Sequence, residues 1–499
     1  MTAVSGADGR SVTPTIAPME LDALIRALAP SDVIGRRDVE ILDLAYDTRA
    51  LRDGALFFCV PGATRDGHDL GGEAVDGGAV ALVVERPLAL SVPQVLVESA
   101  RAAMAVAADE FFGKPTERLT VAGVTGTSGK TTTTYLLRSI LQADGRATGM
   151  VGTVEWLVGG AAREAPHTTP EAIDLQRLFG EMLDAGDEAA AIEASSHGSH
   201  YRRLDRVRFD ALCFTNLGQE HLDLHGDMEE YFQAKRRLFT GLTPPPAAVN
   251  VGDPHGRRLA DELAGAHRAP FVTFGLRPEA EVRADGLEVG PRGSSFTAAG
   301  IGIETPLLGI FNVENVLAAV AAATLLDVED DAIAEGVRAL RGVPGRFEAV
   351  DEGQDFAVVV DYAHKPDALA AALQASRQLG EVRLTVVFGA GGDRDRTKRA
   401  EMGRIARELA DRVILTNDNP RAEEPVAIVE EILQGTGTDV EVDLDRRSAI
   451  ETAIDGAGEG DVVLIAGKGH EQGQEIAGVI HPFDDRDVVR AALARLGRG

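Results

Sequence analysis

Residues 121–134 read Val-Ala-Gly-Val-Thr-Gly-Thr-Ser-Gly-Lys-Thr-Thr-Thr-Thr, a glycine-rich turn between an apolar, strand-like run and a helix-like run. A loop of this kind turns successive backbone N–H groups toward a phosphate chain and places a helix N-terminus behind them. Lys130 then stands beside the phosphates, and the Thr131 hydroxyl stands where Mg²⁺ would bind. The usual P-loop spacing, G-x-x-x-x-G-K-[ST], asks for glycine at position 124, where this chain has Val124; its glycines are Gly123, Gly126 and Gly129. The chain is thus committed to a strand–loop–helix unit that grips a nucleoside triphosphate, in a variant with irregular glycines.

The 499 residues exceed one compact core and call for about three domains. Residues 1–17 read as a loose polar tail. From 18 to 116, strand-like runs at 55–60, 79–84 and 94–97 and a helix-like run at 102–112 describe a small α/β domain, and Gly113-Lys-Pro115 reads as a linker. From 117 to 343, the loop is followed by strand-like 189–193, 211–216 and 247–250, interleaved with helical stretches such as 229–239. That alternation predicts a mostly parallel sheet with helices on both faces, and ligands bind such sheets at the carboxyl ends of the strands.

Val343-Pro-Gly-Arg346 breaks the pattern. From 344 to 499, strands at 356–360, 383–388, 412–415 and 461–466 alternate with helices at 367–377, 426–433 and 485–496. The expected fold class is therefore α/β in three domains: a small N-terminal α/β domain, a central P-loop parallel-sheet domain and a C-terminal Rossmann-like domain. The turn at 389–393 only partly matches G-x-G-x-x-G, because Arg394 holds the last glycine's place.

Composition excludes several classes. A net charge of −29 argues against nonspecific nucleic-acid binding. No apolar run approaches the roughly 20 residues that span a bilayer, and the N-terminus lacks the basic-then-apolar order of a secretory signal. Cys59 and Cys213, the two cysteines, each lie in apolar surroundings, so a disulfide framework is excluded and the cytoplasm is the expected compartment.

Several strand ends carry chemistry. Glu193 closes Ala-Ala-Ala-Ile-Glu and could hold Mg²⁺ directly or through water; equally, Ser195 and Ser196 could simply cap a helix. His221, in Phe214-Thr-Asn-Leu-Gly-Gln-Glu-His, would lie on the same sheet edge as Lys130 and Glu193. Lys235 sits on an amphipathic helix whose Phe232 and Phe239 face inward, and by itself reads as a solvated lysine. Further on, residues 392–399 carry Arg394, Arg396, Lys398 and Arg399, a solvated helix start or an anion clamp. Asp418-Asn-Pro-Arg421 and Gly467-Lys-Gly-His-Glu471 follow two more strands. The three segments would converge on one sheet edge and offer carboxylates and guanidiniums to a zwitterionic ligand, or else be three ordinary turns.

Together these residues resemble the Mur ligase family, and within it the diaminopimelate-adding ligases. The resemblance rests on Thr125–Thr131, Asp47-Thr-Arg49, His167-Thr-Thr-Pro170, Glu193-Ala-Ser-Ser-His-Gly198 and Phe214-Thr-Asn-Leu with His221. It continues through Tyr231 with Ala-Lys235, Phe311-Asn312 with Asn315, Gly345-Arg346, Asp361-Tyr-Ala-His364, Gly391-Gly-Asp-Arg394, Asp418-Asn-Pro-Arg421 and Gly467 to Glu471. It implies an ATP-dependent ligation of meso-diaminopimelate to the D-glutamate γ-carboxylate of UDP-MurNAc-L-Ala-D-Glu, a cytoplasmic step of peptidoglycan synthesis. The partners implied are those two substrates and ATP, with no nucleic acid and no membrane insertion, and the chain is expected to be a monomer.

The resemblance also implies roles. Gly126, Thr127, Ser128, Gly129, Lys130, Thr131 and Thr132 would hold the ATP phosphates, and Asn312, Arg346 and Asp361 the rest of the adenine nucleotide. Thr131, Glu193, His221 and a carbamylated Lys235 would serve two Mg²⁺ sites. Thr48, Arg49, Thr168, Thr169, Ser195, Tyr201 and Arg203 would line the UDP-substrate, and Arg394, Asp418, Asn419, Arg421, Gly467 and Glu471 would hold diaminopimelate. Arg421 would discriminate, since diaminopimelate differs from lysine by a second carboxylate that a guanidinium can pair. His364 or Glu220 would take the amine's proton. Tyr201 stands where some relatives have a glutamine that helps hold substrate, Lys365 where threonine is usual, and Gly218-Gln219 vary the pattern before Glu220-His221. A lysine-adding ligase, a folylpolyglutamate-synthase-like enzyme or a nucleotide-binding switch are the rival readings.

Overall fold

The computed structural model describes residues 17–62, 65–241, 243–290, 292–380 and 382–497. All but the last residue of the expected N-terminal tail lies outside them. The chain forms two compact units, residues 17–282 with 318–336, and 283–317 with 337–497.

The first unit carries a two-stranded antiparallel pairing of Met19–Glu20 with Glu40–Ile41 and two larger sheets. The smaller has the strand order Asp32–Ile34, Gln94–Leu96, Ala79–Val84, Ala55–Phe58, Asp43–Ala45, parallel except for the first pairing. Helices Leu21–Leu28 and Ala100–Phe111 bury Leu24, Met104 and Phe111 against it, together with Ile173 from a later helix. The larger sheet has eight strands in the order Ala161–Glu164, Glu155–Val158, Thr148–Val151, Ala189–Glu193, Thr120–Thr125, Ala211–Phe214, Ala247–Asn250, Phe271–Phe274. Its last six strands run parallel, and an antiparallel hairpin forms the other edge. The phosphate-loop strand Thr120–Thr125 is central, between Ala189–Glu193 and Ala211–Phe214. Register pairs Glu193 with Val124 and Phe214 with Thr125, so three strands end together at the loop.

Small residues make this centre possible. A Cβ on Gly123 would run into the Phe209 ring and Leu212, so Gly123 is a packing glycine inside the strand and no part of the phosphate loop. The all-alanine start of Ala189–Glu193 lets helix Lys130–Ala143 lie close over the sheet, with Leu136, Leu137 and Ile140 fully buried.

The second unit is built on a six-stranded sheet, Glu348–Ala349, Ala357–Asp361, Val462–Ala466, Leu384–Phe388, Arg412–Leu415, Glu441–Val442, parallel except for its first pairing. Helices cover both faces and bury two apolar layers, one around Leu369, Phe388 and Met402, the other around Ile414, Ile450 and Val489. A three-stranded antiparallel meander, Asp285–Gly290, Gly293–Ala298, Ile301–Thr305, and a hairpin, Gly473–Ile476 with Val479–Pro482, complete it. Among the described residues no helix is long and apolar enough to cross a membrane.

Buried charges pin the sheet of the second unit. Arg446 and Asp485 are both fully buried and joined by two bonds, Nε to Oδ1 and Nη2 to Oδ2, each 2.7 Å. Arg446 also donates to the carbonyls of Ala466 and Asn417. Removing one partner strands a charge in the interior, so Arg446→Ala is expected to lose about 3–5 kcal/mol in urea unfolding. The paired replacement Arg446→Met with Asp485→Leu is expected to lose much less.

Candidate active site

The phosphate loop is shaped by the strand beside it. Gly126 has φ 151°, and a Cβ there would lie on the Thr215 hydroxyl. That hydroxyl donates to the Ser128 carbonyl at 2.7 Å. Asn216 accepts from Ser128 N through Oδ1 at 2.9 Å, and its own carbonyl accepts from Thr127 N at 2.9 Å. Thr127 Oγ1 stands 3.1 Å from the Tyr231 hydroxyl. Gly129, at φ 84°, turns the chain into helix Lys130–Ala143, whose first residues Thr131 and Thr132 are buried.

Two lysine amines meet at one carbonyl. Lys130 Nζ donates to Gly126 O at 3.0 Å and Thr127 O at 2.8 Å, and Lys235 Nζ donates to Gly126 O at 2.8 Å. Lys235 is 1% exposed, which overturns its reading as a solvated residue. Helix Met228–Arg236 turns it inward beside Tyr231, whose ring centroid is 4.6 Å from Nζ. Burial, reinforced by the charge of Lys130, pushes the Lys235 amine well below the ordinary lysine range. His221 follows at φ 56°, with Nε2 3.2 Å from Glu220 Oε1 and its ring edge-on to His197 at 4.6 Å.

Glu193 faces a second polar row. Its oxygens accept from Thr153 N at 2.8 Å and Thr153 Oγ1 at 3.0 Å, and Thr153 Oγ1 is 3.0 Å from Thr168 Oγ1. Thr169 Oγ1 donates to the Glu193 carbonyl at 2.7 Å and accepts from Ser195 N. Arg203 donates to the Thr169 carbonyl at 2.7 Å and to Glu171 at 2.8 Å, and with Arg101 it lies over the Tyr201 ring. Ser195 does cap the short helix Ser196–His200, accepting from Gly198 N. The capping expectation therefore holds for Ser195, while Glu193 points elsewhere. Thr48 and Arg49 follow strand Asp43–Ala45, with Thr48 Oγ1 bonded to Glu73 and the exposed Arg49 paired with Asp47.

In the second unit, Asn312 donates to the Leu308 carbonyl and accepts from Asn315. Arg346 lies 4.6 Å over the Tyr362 ring, and Asp361 accepts from Phe347 N and Ala363 N. Burial raises the Asp361 carboxyl and the Arg346 charge opposes it. His364 and His470 flank the same Tyr362 at 4.5 and 5.1 Å; burial lowers them to about 4 and about 3.

The diaminopimelate candidates gather at the ends of three adjacent strands. Asn419 Nδ2 donates to Glu471 Oε2 at 2.8 Å, and Gly467 packs against the Asp418 carboxylate so closely that a Cβ would collide with it. Arg421, at φ 52°, donates to the Gly392 carbonyl at 2.7 Å and pairs with Glu475 at 3.3 Å. Arg394 is exposed near Gly391. The wider anion clamp does not form: Arg399 is fully buried on Glu423 and Glu431, and Arg396 also pairs with Glu431.

Three family descriptions match this chain: Mur ligase family, catalytic domain over residues 40–112; Mur ligase middle domain over 124–323; and Mur ligase, glutamate ligase domain over 345–469. A UDP-N-acetylmuramoyl-L-alanyl-D-glutamate–2,6-diaminopimelate ligase of Streptomyces coelicolor is 46% identical over 91% of this chain and 93% of its own length. One from Geobacillus thermodenitrificans is 45% identical over 95% and 99%. The chain belongs to the Mur ligase family. A solved structure of such a diaminopimelate ligase superposes on this Mur ligase with TM-score 0.71 at 31% identity, covering 96% of this chain and 100% of that one.

Some residues of this Mur ligase site escaped sequence reasoning. Thr153 has no motif of its own; only its place across the sheet from Glu193 marks it. Thr215 and Asn216 were visible as part of a motif, but their grip on the loop was not. The lowered histidines have a measurable consequence. His364 and His470 release their protons at lower pH in the folded chain than in the unfolded one, where imidazole titrates near 6.5. The unfolded chain therefore binds more protons as pH falls from about 6.5 toward 4, and folded stability drops across that window. Melting temperature is expected to fall over that range, with a shallower slope in His470→Gln.

Proposed function

We infer that this Mur ligase is an ATP-dependent enzyme of peptidoglycan synthesis. It joins meso-diaminopimelate to the D-glutamate γ-carboxylate of UDP-MurNAc-L-Ala-D-Glu. The observation that carries this reading is that ligases of that activity match more than nine-tenths of the chain at 45–46% identity. The gathering of Asp418, Asn419, Arg421, Gly467 and Glu471 at one sheet edge supports it. The functional division we adopt is 18–116 for the UDP-substrate, 117–343 for ATP and 344–499 for the amino acid. We take the enzyme to act as a monomer, and the nucleotide-linked substrates imply a cytoplasmic enzyme.

A carboxylate is a poor electrophile. One oxygen of the γ-carboxylate would attack the γ-phosphorus of ATP, expelling ADP and leaving an acyl phosphate. The diaminopimelate amine would then attack the acyl carbon, lose a proton and release phosphate. Lys130 and the N–H groups of Gly126 to Thr132 would offset the charge on the transferring phosphoryl group, and Asn312, Arg346 and Asp361 would hold the adenine nucleotide. Thr48, Arg49, Thr168, Thr169, Ser195, Tyr201 and Arg203 would bind the UDP-substrate. Of the two bases considered for the amine, His364 is lowered to about 4, which makes it a weaker proton acceptor than an ordinary imidazole. Glu220 stands beside His221.

Mg²⁺ would be held by Thr131, Glu193, His221 and carbamylated Lys235. Among the described residues no three His, Cys, Asp or Glu side chains form a ready cage. Mg²⁺ needs none, since it keeps waters and takes one or two carboxylates together with substrate phosphates. A threonine hydroxyl at the loop end and a buried carboxylate on the next strand suit that coordination. When bound, it neutralises phosphate charge as a Lewis acid. The low-lying Lys235 amine suits carbamylation, because only a neutral amine adds to CO₂.

Three measurements test this reading. With ATP and UDP-MurNAc-L-Ala-D-Glu, phosphate release should be roughly a hundredfold or more faster with meso-diaminopimelate than with L-lysine; equal rates would sink the specificity. Arg421→Asn should raise the diaminopimelate KM by roughly 10- to 100-fold and leave the ATP KM near wild type. Carbon-13 bicarbonate should label a carbamate resonance that is absent from Lys235→Ala, and that variant should lose roughly 100-fold or more in kcat. An unlabelled wild-type protein with full activity would remove carbamylation from the mechanism.

A further inference from the structure

Lys468 lies within the last of the amino-acid segments, yet neither its motif nor the ligase reading gives it a task. It is fully buried, at 0% exposure. Its Nζ donates to Asn419 Oδ1 and to Glu471 Oε2, both at 3.0 Å. Asn419 Oδ1 also accepts from Glu475 N at 2.9 Å, and Asn419 Nδ2 donates to the same Glu471 Oε2 at 2.8 Å. The amide of Asn419 is thereby held in one orientation. The carboxylate of Glu471 is held by two donors on a single oxygen.

Among the described residues that arrangement leaves Glu471 Oε1 without a partner, and the neighbouring Asp418 carries a second unpartnered carboxylate oxygen. Glu471 Oε1 accepts no hydrogen bond among the described residues, and the Glu471 side chain is partly exposed. Asp418 Oδ2 is buried without a partner beside Gly467, whose missing Cβ makes room for it. A buried acceptor of this kind is costly unless something donates to it. Burying an amine is costly too, and an apolar side chain would fill the same space without that cost. The use of the charge at Lys468 therefore lies in what it does to its two neighbours.

We propose that Lys468 is a positioning residue for the amino-acid substrate. Its buried amine locks Asn419 and turns Glu471 so that Glu471 Oε1, together with Asp418 Oδ2, receives a substrate ammonium group. The proposal rests on the diaminopimelate-ligase reading. It differs from a merely structural staple between two strand ends in one respect: Lys468 acts through Glu471, so its loss should be felt in amino-acid binding and should vanish when Glu471 is already altered.

The test is steady-state phosphate release with wild type, Lys468→Met, Glu471→Gln and the double variant. Lys468→Met is expected to raise the diaminopimelate KM by roughly 10- to 100-fold while leaving the ATP and UDP-substrate KM within about threefold. In the Glu471→Gln background the same change should cost no more than about threefold further, because residues in one hydrogen-bond network do not add. A Lys468→Met protein with a wild-type diaminopimelate KM overturns the proposal. So do equal rises in all three KM values, or a fully additive double variant. If Lys468→Met does not fold, Lys468→Leu takes its place: it too removes the donor, and a wild-type diaminopimelate KM in it is equally fatal. A wild-type protein that releases no phosphate with diaminopimelate overturns the ligase reading, and this proposal with it.

Discussion

The carbonyl oxygen of Gly126 accepts from two lysine amines, Lys130 at 3.0 Å and Lys235 at 2.8 Å, and much of the first unit is arranged to make that possible. Position 126 must be glycine because Thr215 occupies the space a Cβ would take. Thr215 and Asn216 come from the neighbouring strand and hold Thr127 and Ser128 in place, so the loop borrows its shape from the sheet. The second amine reaches the loop only because helix Met228–Arg236 buries Tyr231, Phe232 and Lys235 together. An amine brought there without water around it, and beside another lysine, gives up its proton easily. One backbone oxygen thus links loop geometry, helix packing and the reactivity of a side chain far along the sequence.

The same economy of placement governs Glu193. It is the last residue of a strand in register with the loop strand, and its carboxylate and its carbonyl serve different partners. The carboxylate is held by Thr153, while the carbonyl accepts from Thr169. Thr169 in turn orients Ser195 and Arg203. A shift of this strand end would therefore disturb the residues assigned to nucleotide-bound metal and those assigned to the UDP-substrate at once. Coupling of this kind suits a reaction in which a substrate carboxylate and a γ-phosphate must meet in line.

How legible was this in the sequence? The strand–loop–helix unit, the parallel sheets and the carboxyl-edge clustering all follow from apolar periodicity and from glycine and lysine spacing, which report local structure well. Burial of individual polar residues does not follow, because it depends on what packs across from them. Lys235 looked solvated from its helix alone and is buried, whereas Arg399 looked like a possible anion ligand and is consumed by Glu423 and Glu431. Gly123 looked like a loop glycine and is a packing one. The antiparallel meander Asp285–Thr305 went unread although its strands run five or six residues, because Asp285–Gly290 and Gly293–Ala298 are rich in glycine and polar residues and carry few apolar positions to show alternation.

A chain of net charge −29 has still to hold ATP, a UDP-linked dipeptide and an amino acid with two carboxylates. Net charge does not decide this, because exposed charges are screened beyond about 8–10 Å at physiological salt. What matters is which charges lie within that distance of each ligand and how dry they are. At the loop these are Lys130 and the backbone N–H groups of a helix start. Beside Thr169 the charge comes from Arg203, which stacks on Tyr201 with Arg101. In the second unit Arg421 pairs with Glu475, Lys468 pairs with Glu471, and Asp418 keeps one oxygen unpartnered among the described residues. A set of groups with both signs suits the zwitterionic ligand proposed for it. A net charge this far from zero favours solubility and leaves ligand binding to those local groups.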